Sequence, residues 1–97
     1  MKRLVDVIIP TFDNVEILSQ CIISLNHSIQ DPLARLVHFN IVNNGHSALE
    51  RYVQEGEHLS LLRPGKNLGW EGGLNYALER TSAPFVLFAN DDIRAVE

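Results

Sequence analysis

Phe85-Val86-Leu87-Phe88-Ala89-Asn90-Asp91-Asp92 runs five apolar residues into an amide and two adjacent carboxylates. A continuous apolar run bounded by Pro84 and by acids reads as a strand buried on both faces of a parallel sheet. The acids then lie at its carboxyl end, where open α/β sheets bind their ligands. Neighbouring carboxylates repel each other unless a cation sits beside them, and hard oxygen donors suit Mg²⁺ or Mn²⁺. The plain alternative is a pair of acids capping a turn.

Outward from this stretch, strands and helices alternate. Leu4 to Ile9 is β-branched and reads as a first strand, with Pro10 as its end. Asp13-Asn14-Val15-Glu16 has the form of a capping box before a helix whose Leu18, Cys21, Ile22 and Leu25 share one face. That helix fades near Asn26-His27-Ser28, and Asp31-Pro32 marks a turn. Leu36 to Val42 is a second strand, stopped by Asn43-Asn44-Gly45. Leu49, Tyr52 and Val53 predict a helix within Ser47 to Glu55, closed by Gly56 as a C-terminal cap. Leu59 to Leu62 is a short third strand ended by Pro64-Gly65. Lys66 to Gly73 is glycine-rich and leads straight into the helix-forming Leu74 to Arg80. Such a junction lets backbone N–H groups approach a ligand closely, although a simple flexible loop would look alike.

The alternation implies an α/β fold, a three-layer sandwich on a mainly parallel sheet in spatial order 3-2-1-4. One rim would then collect Thr11-Phe12-Asp13, Asn43-Asn44-Gly45, the Lys66–Gly73 loop and Asn90-Asp91-Asp92. Polar groups from four separate segments converging on one edge mark a binding site.

Composition narrows the ligand and the setting. With 97 residues the chain is a single domain. Its net charge of −4, with no Lys/Arg run, argues against nucleic acid as a partner. The single cysteine, Cys21, excludes an internal disulfide and reads as a small buried hydrophobe. No signal peptide and no apolar stretch near the ~20 residues of a membrane span are present, which points to a cytoplasmic protein, at most peripheral to the inner face of a membrane. His27, His38, His46 and His58 are scattered and read as surface or structural residues; no general base stands out.

The first turn lacks G-x-G-x-x-G, so a dinucleotide fold is disfavoured, and no P-loop occurs. An aromatic after strand one can stack on a base, an amide after strand two can meet a base edge, and a carboxylate pair can hold a metal against a diphosphate. A nucleoside-diphosphate ligand suits all three.

Val7-Ile8-Ile9-Pro10-Thr11-Phe12-Asp13-Asn14, Ile41-Val42-Asn43-Asn44-Gly45, Asn67-Leu68-Gly69 through Asn75, and Phe88-Ala89-Asn90-Asp91-Asp92 together resemble family 2 glycosyltransferases of the GT-A fold. The glycine-rich stretch is more similar to the rhamnosyl- and galactofuranosyl-transferase branch than to the cellulose-synthase branch. The resemblance implies that Pro10, Thr11 and Phe12 line the base pocket, with Asn43 and Asn44 at or beside the family's base-contacting aspartate. It implies that Asn90-Asp91-Asp92 is a D-x-D-like motif, with Asp92 the direct metal ligand and Asp91 on the ribose or the metal's water shell. Gly69, Gly72, Gly73 and Asn75 would border the donor sugar and diphosphate. The chain departs from the family in two places: asparagine stands for the aspartate after strand two, and Asn90 opens the metal motif.

Only Ile93 to Glu97 follow the carboxylates. The chain therefore reads as the N-terminal, donor-binding part of such an enzyme, residues 1–97, with acceptor site and catalytic base elsewhere. Its function would be metal-dependent transfer of a sugar from a nucleotide donor to a saccharide or lipid-linked acceptor. The alternative is a nucleotide-sugar-binding or interaction module without turnover. An open sheet edge at Phe85–Ala89 would favour self-association.

Overall fold

In the computed structural model, which describes residues 3–28 and 36–92, the first strand occupies the middle of the sheet. β1 (Val5–Thr11) is buried from Asp6 onward. β2 (Val37–Asn43) is nearly as buried. β3 (Leu59–Leu62) and β4 (Phe85–Phe88) complete an all-parallel sheet in the order β3-β2-β1-β4. The strands alternate with α1 (Val15–Ser28) and α2 (Gly69–Leu78). The order and direction are those the sequence predicts.

The pleat divides the core. Val7 and Ile9 of β1, Phe39 and Ile41 of β2 and Leu61 of β3 meet Leu18, Cys21 and Ile22 of α1 on one face. Ile8 and Val42 meet Ala77 of α2 on the other, with Leu62, Leu74 and Tyr76 around them. Both faces of the two central strands are thus covered, which is why their sequences are continuous apolar runs. The α1 stripe is as expected at Leu18, Cys21 and Ile22. The side chain of Leu25 and the Asp31-Pro32 turn lie outside the described residues.

The α2 face also holds a polar patch at the amino end of the strands. Asp6, fully buried, accepts from Asn40 Nδ2 (3.0 Å), the Ser82 and Ala83 amides (3.1 and 2.9 Å) and Arg3 Nη1 (3.1 Å). Burial alone would raise its pKa, but these donors together hold it below the usual carboxylate value. Next to it the buried His38 bonds the Glu57 carbonyl through Nδ1 (3.0 Å) and Ser60 Oγ through Nε2 (2.8 Å). Its pKa is lowered by burial, against a raising contribution from the Glu57 carbonyl. The patch fastens the start of β4 to β1.

Several local expectations are corrected. β4 is not buried on both faces: Phe85, Val86, Leu87 and Phe88 are 62%, 37%, 53% and 47% exposed. It is the edge strand, paired with β1 alone among the described residues, and the helices pack over β1 and β2 instead. Pro10 does not end β1, which continues to Thr11. The carbonyls of Leu4 and Ile8 accept from Phe85 and Ala89, so even-numbered residues of β1 face β4. Residue 10 would donate the next bond on that side, beyond the last pairing, Ile8↔Phe88. Proline therefore stops the β1–β4 ladder, while β1–β2 pairing runs on to Thr11↔Asn43.

The helix expected within Ser47–Glu55 is a single 3₁₀ turn, Leu49–Arg51. Leu49 and Val53 are buried as a helical spacing would have them, but the backbone is committed elsewhere. Gly56 N bonds the Leu59 carbonyl (3.0 Å) rather than capping a helix, and the Glu55 side chain takes the Leu61 amide (2.7 Å). The capping box is also not formed as written. Asn14 precedes the first helical residue and its carbonyl takes Leu18 N (2.8 Å), whereas the Asp13 carboxylate bonds a different loop.

Candidate functional site

All four carboxyl-end loops meet above β1. With the β1–β4 ladder stopped at Pro10, a crevice opens between Thr11 and the Asn90–Asp91 turn, at the point where strand order reverses. A cavity of about 320 Å³ fills it, walled by Pro10, Thr11, Phe12 and Asn14 from the first loop, Asn44 from the second, Asn67, Gly69 and Trp70 from the third, and Asn90 and Asp91 from the fourth.

The loops are fastened to one another by side chains. Thr11 Oγ1 donates to Asp91 Oδ2 at 2.7 Å, and Asn14 Nδ2 reaches the same oxygen at 3.3 Å. Asp13, at a positive φ of 55° that non-glycine residues rarely adopt, turns its carboxylate to the second loop. There Asp13 Oδ1 accepts from the Ser47 hydroxyl (2.7 Å) and the Ser47 and His46 amides (2.8 Å each). The Ser47 hydroxyl and the Ser47 amide, with a lesser contribution from the His46 amide, hold this carboxyl below the usual pKa against the opposing effect of burial. Gly45 passes so close to Asp13 that an added Cβ would collide with the carboxylate.

Both asparagines at the end of β2 have their amides engaged. Asn43 closes its own loop, donating to the Ser47 carbonyl (2.9 Å) and accepting from Gly45 N (3.0 Å). Asn44 donates to the Gly69 carbonyl (3.0 Å) and accepts from Leu68 N (3.2 Å). α2 follows, with Gly73 seated where a Cβ would lie 3.1 Å from Asn44 Nδ2 and 3.2 Å from Pro10 Cβ. That close approach is what the glycine permits.

Of the residues expected from sequence, Pro10, Thr11, Phe12, Asn44, Gly69 and Asp91 wall the cavity, while Asn43, Gly72, Gly73, Asn75 and Asp92 lie outside its walls. Asn90, expected only as the opening of the metal motif, also walls the cavity, as do Asn14, Asn67 and Trp70, to which the sequence reading assigns no role in the site. Trp70, the only tryptophan, offered a signal: a large aromatic in a glycine-rich loop is costly to expose without a ligand to meet. Phe12 and Trp70 are 48% and 46% exposed.

Among the described residues no group of three or more His, Cys, Asp or Glu side chains is placed to hold a metal ion. Asp91 already accepts from Thr11 and Asn14, and Asp92 is exposed at its side. These are hard oxygen donors, so they fit Mg²⁺ or Mn²⁺ when a ligand's phosphate oxygens supply the remaining positions. No helix among the described residues is long and apolar enough to cross a membrane.

Known structures share this architecture. The crystal structure of S. aureus TarS superposes with a TM-score of 0.75 at 23% identity, over 92% of this chain and 16% of that one. The structure of S. aureus TarS 1-349 gives 0.71 at 25% identity, over 92% of this chain and 27% of that one. The chain thus spans well under a third of either, and its sheet and helices are those of a GT-A, Rossmann-like fold. Among curated proteins no sequence relative is found. Residues 6–95 match the family described as Glycosyl transferase family 2, and the chain belongs to that family.

Proposed function

We propose that this chain is the donor-binding part of a glycosyltransferase that moves a sugar from a nucleoside-diphosphate donor to a saccharide or lipid-linked acceptor, with Mn²⁺ or Mg²⁺ at the diphosphate. The observation that carries the reading is the crevice at the sheet's switch point, walled by all four rim loops and spanned by the Thr11–Asp91 bond. Family membership supports glycosyl transfer in general. The rim's residue chemistry supports the nucleotide.

Phe12, half exposed beside Pro10 and Thr11, offers a face for the base, with Asn44 in the wall of that pocket and its amide turned to the third loop. Asp91, fixed by two donors, presents its other oxygen to a ribose hydroxyl or the metal's water shell. Asp92 is the carboxylate free to enter the metal's coordination. Gly69, at the start of α2, borders the sugar and diphosphate, while Gly72, Gly73 and Asn75 lie outside the cavity's walls. A divalent cation held by Asp92, with Asp91 beside it, would supply positive charge against the leaving diphosphate. The residues themselves bind and orient the donor; no residue in the described set is assigned as catalytic base.

Calorimetric titration of the 97-residue chain with UDP, GDP, dTDP and CDP, each with and without Mn²⁺, tests the reading. At least one should bind, more tightly with metal. Failure of all four at millimolar concentration would remove it.

A further inference from the structure

Asn44 joins three elements. Its backbone N–H donates to the Thr11 carbonyl (2.8 Å) at the end of β1, it directly follows β2, and its side chain reaches the N-cap and first residue of α2. It is 5% exposed. Its amide oxygen takes Leu68 N–H and its amide nitrogen gives to the Gly69 carbonyl, so both polar ends are aimed at that loop and not at a ligand. Leu68 caps α2 with no side-chain bond of its own. Asn67 Oδ1 takes the Gly69 amide (2.8 Å). The next amides, of Trp70 and Glu71, belong to the first turn, which has no intrahelical acceptor for them.

We infer that Asn44 is a positioning residue that sets the height of the Leu68–Gly69 backbone against Thr11 and Asp91, and so the gap into which a nucleoside diphosphate fits. The bond pattern requires one donor and one acceptor on the same side chain. An amide supplies both, whereas a carboxylate only accepts. An aspartate here would set a charged oxygen against the Gly69 carbonyl oxygen. The residue type that reads from sequence as a base contact is thus explained by the loop it holds. This deepens the nucleotide-binding reading and rests on it.

The test combines amide hydrogen exchange by NMR with titration of UDP and GDP in Mn²⁺, on the 97-residue chain and its Asn44→Ala and Asn44→Asp variants. In the unsubstituted chain the Leu68 amide should exchange at least roughly tenfold more slowly than those of Lys66 and Asn67, as one hydrogen bond would make it. Asn44→Ala should abolish that protection while Ile41 in β2 stays protected. Asn44→Asp keeps an acceptor for Leu68 but repels Gly69, and both variants should weaken the tighter nucleotide roughly tenfold. Leu68 exchanging as fast as Asn67 in the unsubstituted chain overturns the inference without recourse to any variant. Unchanged affinity in Asn44→Asp also overturns it. A chain binding neither nucleotide defeats the functional reading and the proposed gap with it, while Leu68 exchange still separates a latched loop from a free one.

Discussion

Replacing Thr11 by Val isolates the bond that spans the crevice. Valine keeps the β-branched shape, and Thr11 is 3% exposed, so packing is preserved while the 2.7 Å bond to Asp91 Oδ2 is lost. A hydrogen bond to a charged acceptor is worth about 1.5–3 kcal/mol when buried. Asp91 is only half buried and keeps Asn14 at 3.3 Å, so water replaces part of the loss and about 1 kcal/mol is expected. For a domain of this size that lowers the melting temperature by roughly 4–8 °C. The bond also orients Asp91, so nucleotide affinity should fall with it. A cycle of Thr11→Val, Asp91→Asn and the double variant, read by thermal unfolding and by UDP or GDP titration in Mn²⁺, separates the pair from its surroundings. Partners in contact should couple by roughly 0.5–3 kcal/mol. Strict additivity in both readouts would refute the claim that the two side chains act as a unit.

Three further outcomes follow from particular contacts. Gly45→Ala should destabilise by about 1–3 kcal/mol, measured by chemical denaturation, because its Cβ enters the space of the Asp13 carboxylate; a neutral substitution would mean the loop relaxes freely. Because burial holds the pKa of His38 below the ordinary ~6.5, the unfolded chain binds the proton first as pH falls. Stability is therefore full above pH ~6.5 and declines from there towards the lower folded value, and His38→Gln should flatten this slope in melts between pH 8 and 5. Leu87→Lys should suppress concentration-dependent association in sedimentation, since a lysine blunts the exposed β4 edge; an unchanged profile would place any association elsewhere.

The central strands were legible because Ile8, Ile9, Ile41 and Val42 lie between two covered faces, and such burial writes itself as an unbroken apolar run. The same run at Phe85–Phe88 misleads, because it records hydrophobicity and not which element covers it. The spacing of Leu49, Tyr52 and Val53 suits a helix, yet one 3₁₀ turn satisfies it, since Glu55 and Gly56 bond the β3 segment. The rim was legible as a set of polar loops at strand ends. Which side chains fasten those loops was not, because Asp13 bonds residues 46 and 47, and Asn44 bonds residues 68 and 69. Asp6 was hidden for the same reason: its acceptor role is set by Asn40 and by amides more than seventy positions away.

Mn²⁺-dependent binding of a nucleoside diphosphate, compared between the unsubstituted chain and Asp92→Asn, tests whether this rim is a metal-assisted donor site. The chain should bind its preferred diphosphate more tightly with Mn²⁺, and Asp92→Asn should erase that gain while leaving the metal-free affinity and the melting temperature unchanged or slightly raised, since like charges beside Asp91 are relieved. A variant that melts lower yet keeps the full metal effect would make Asp92 a turn-capping residue and contradict the assignment.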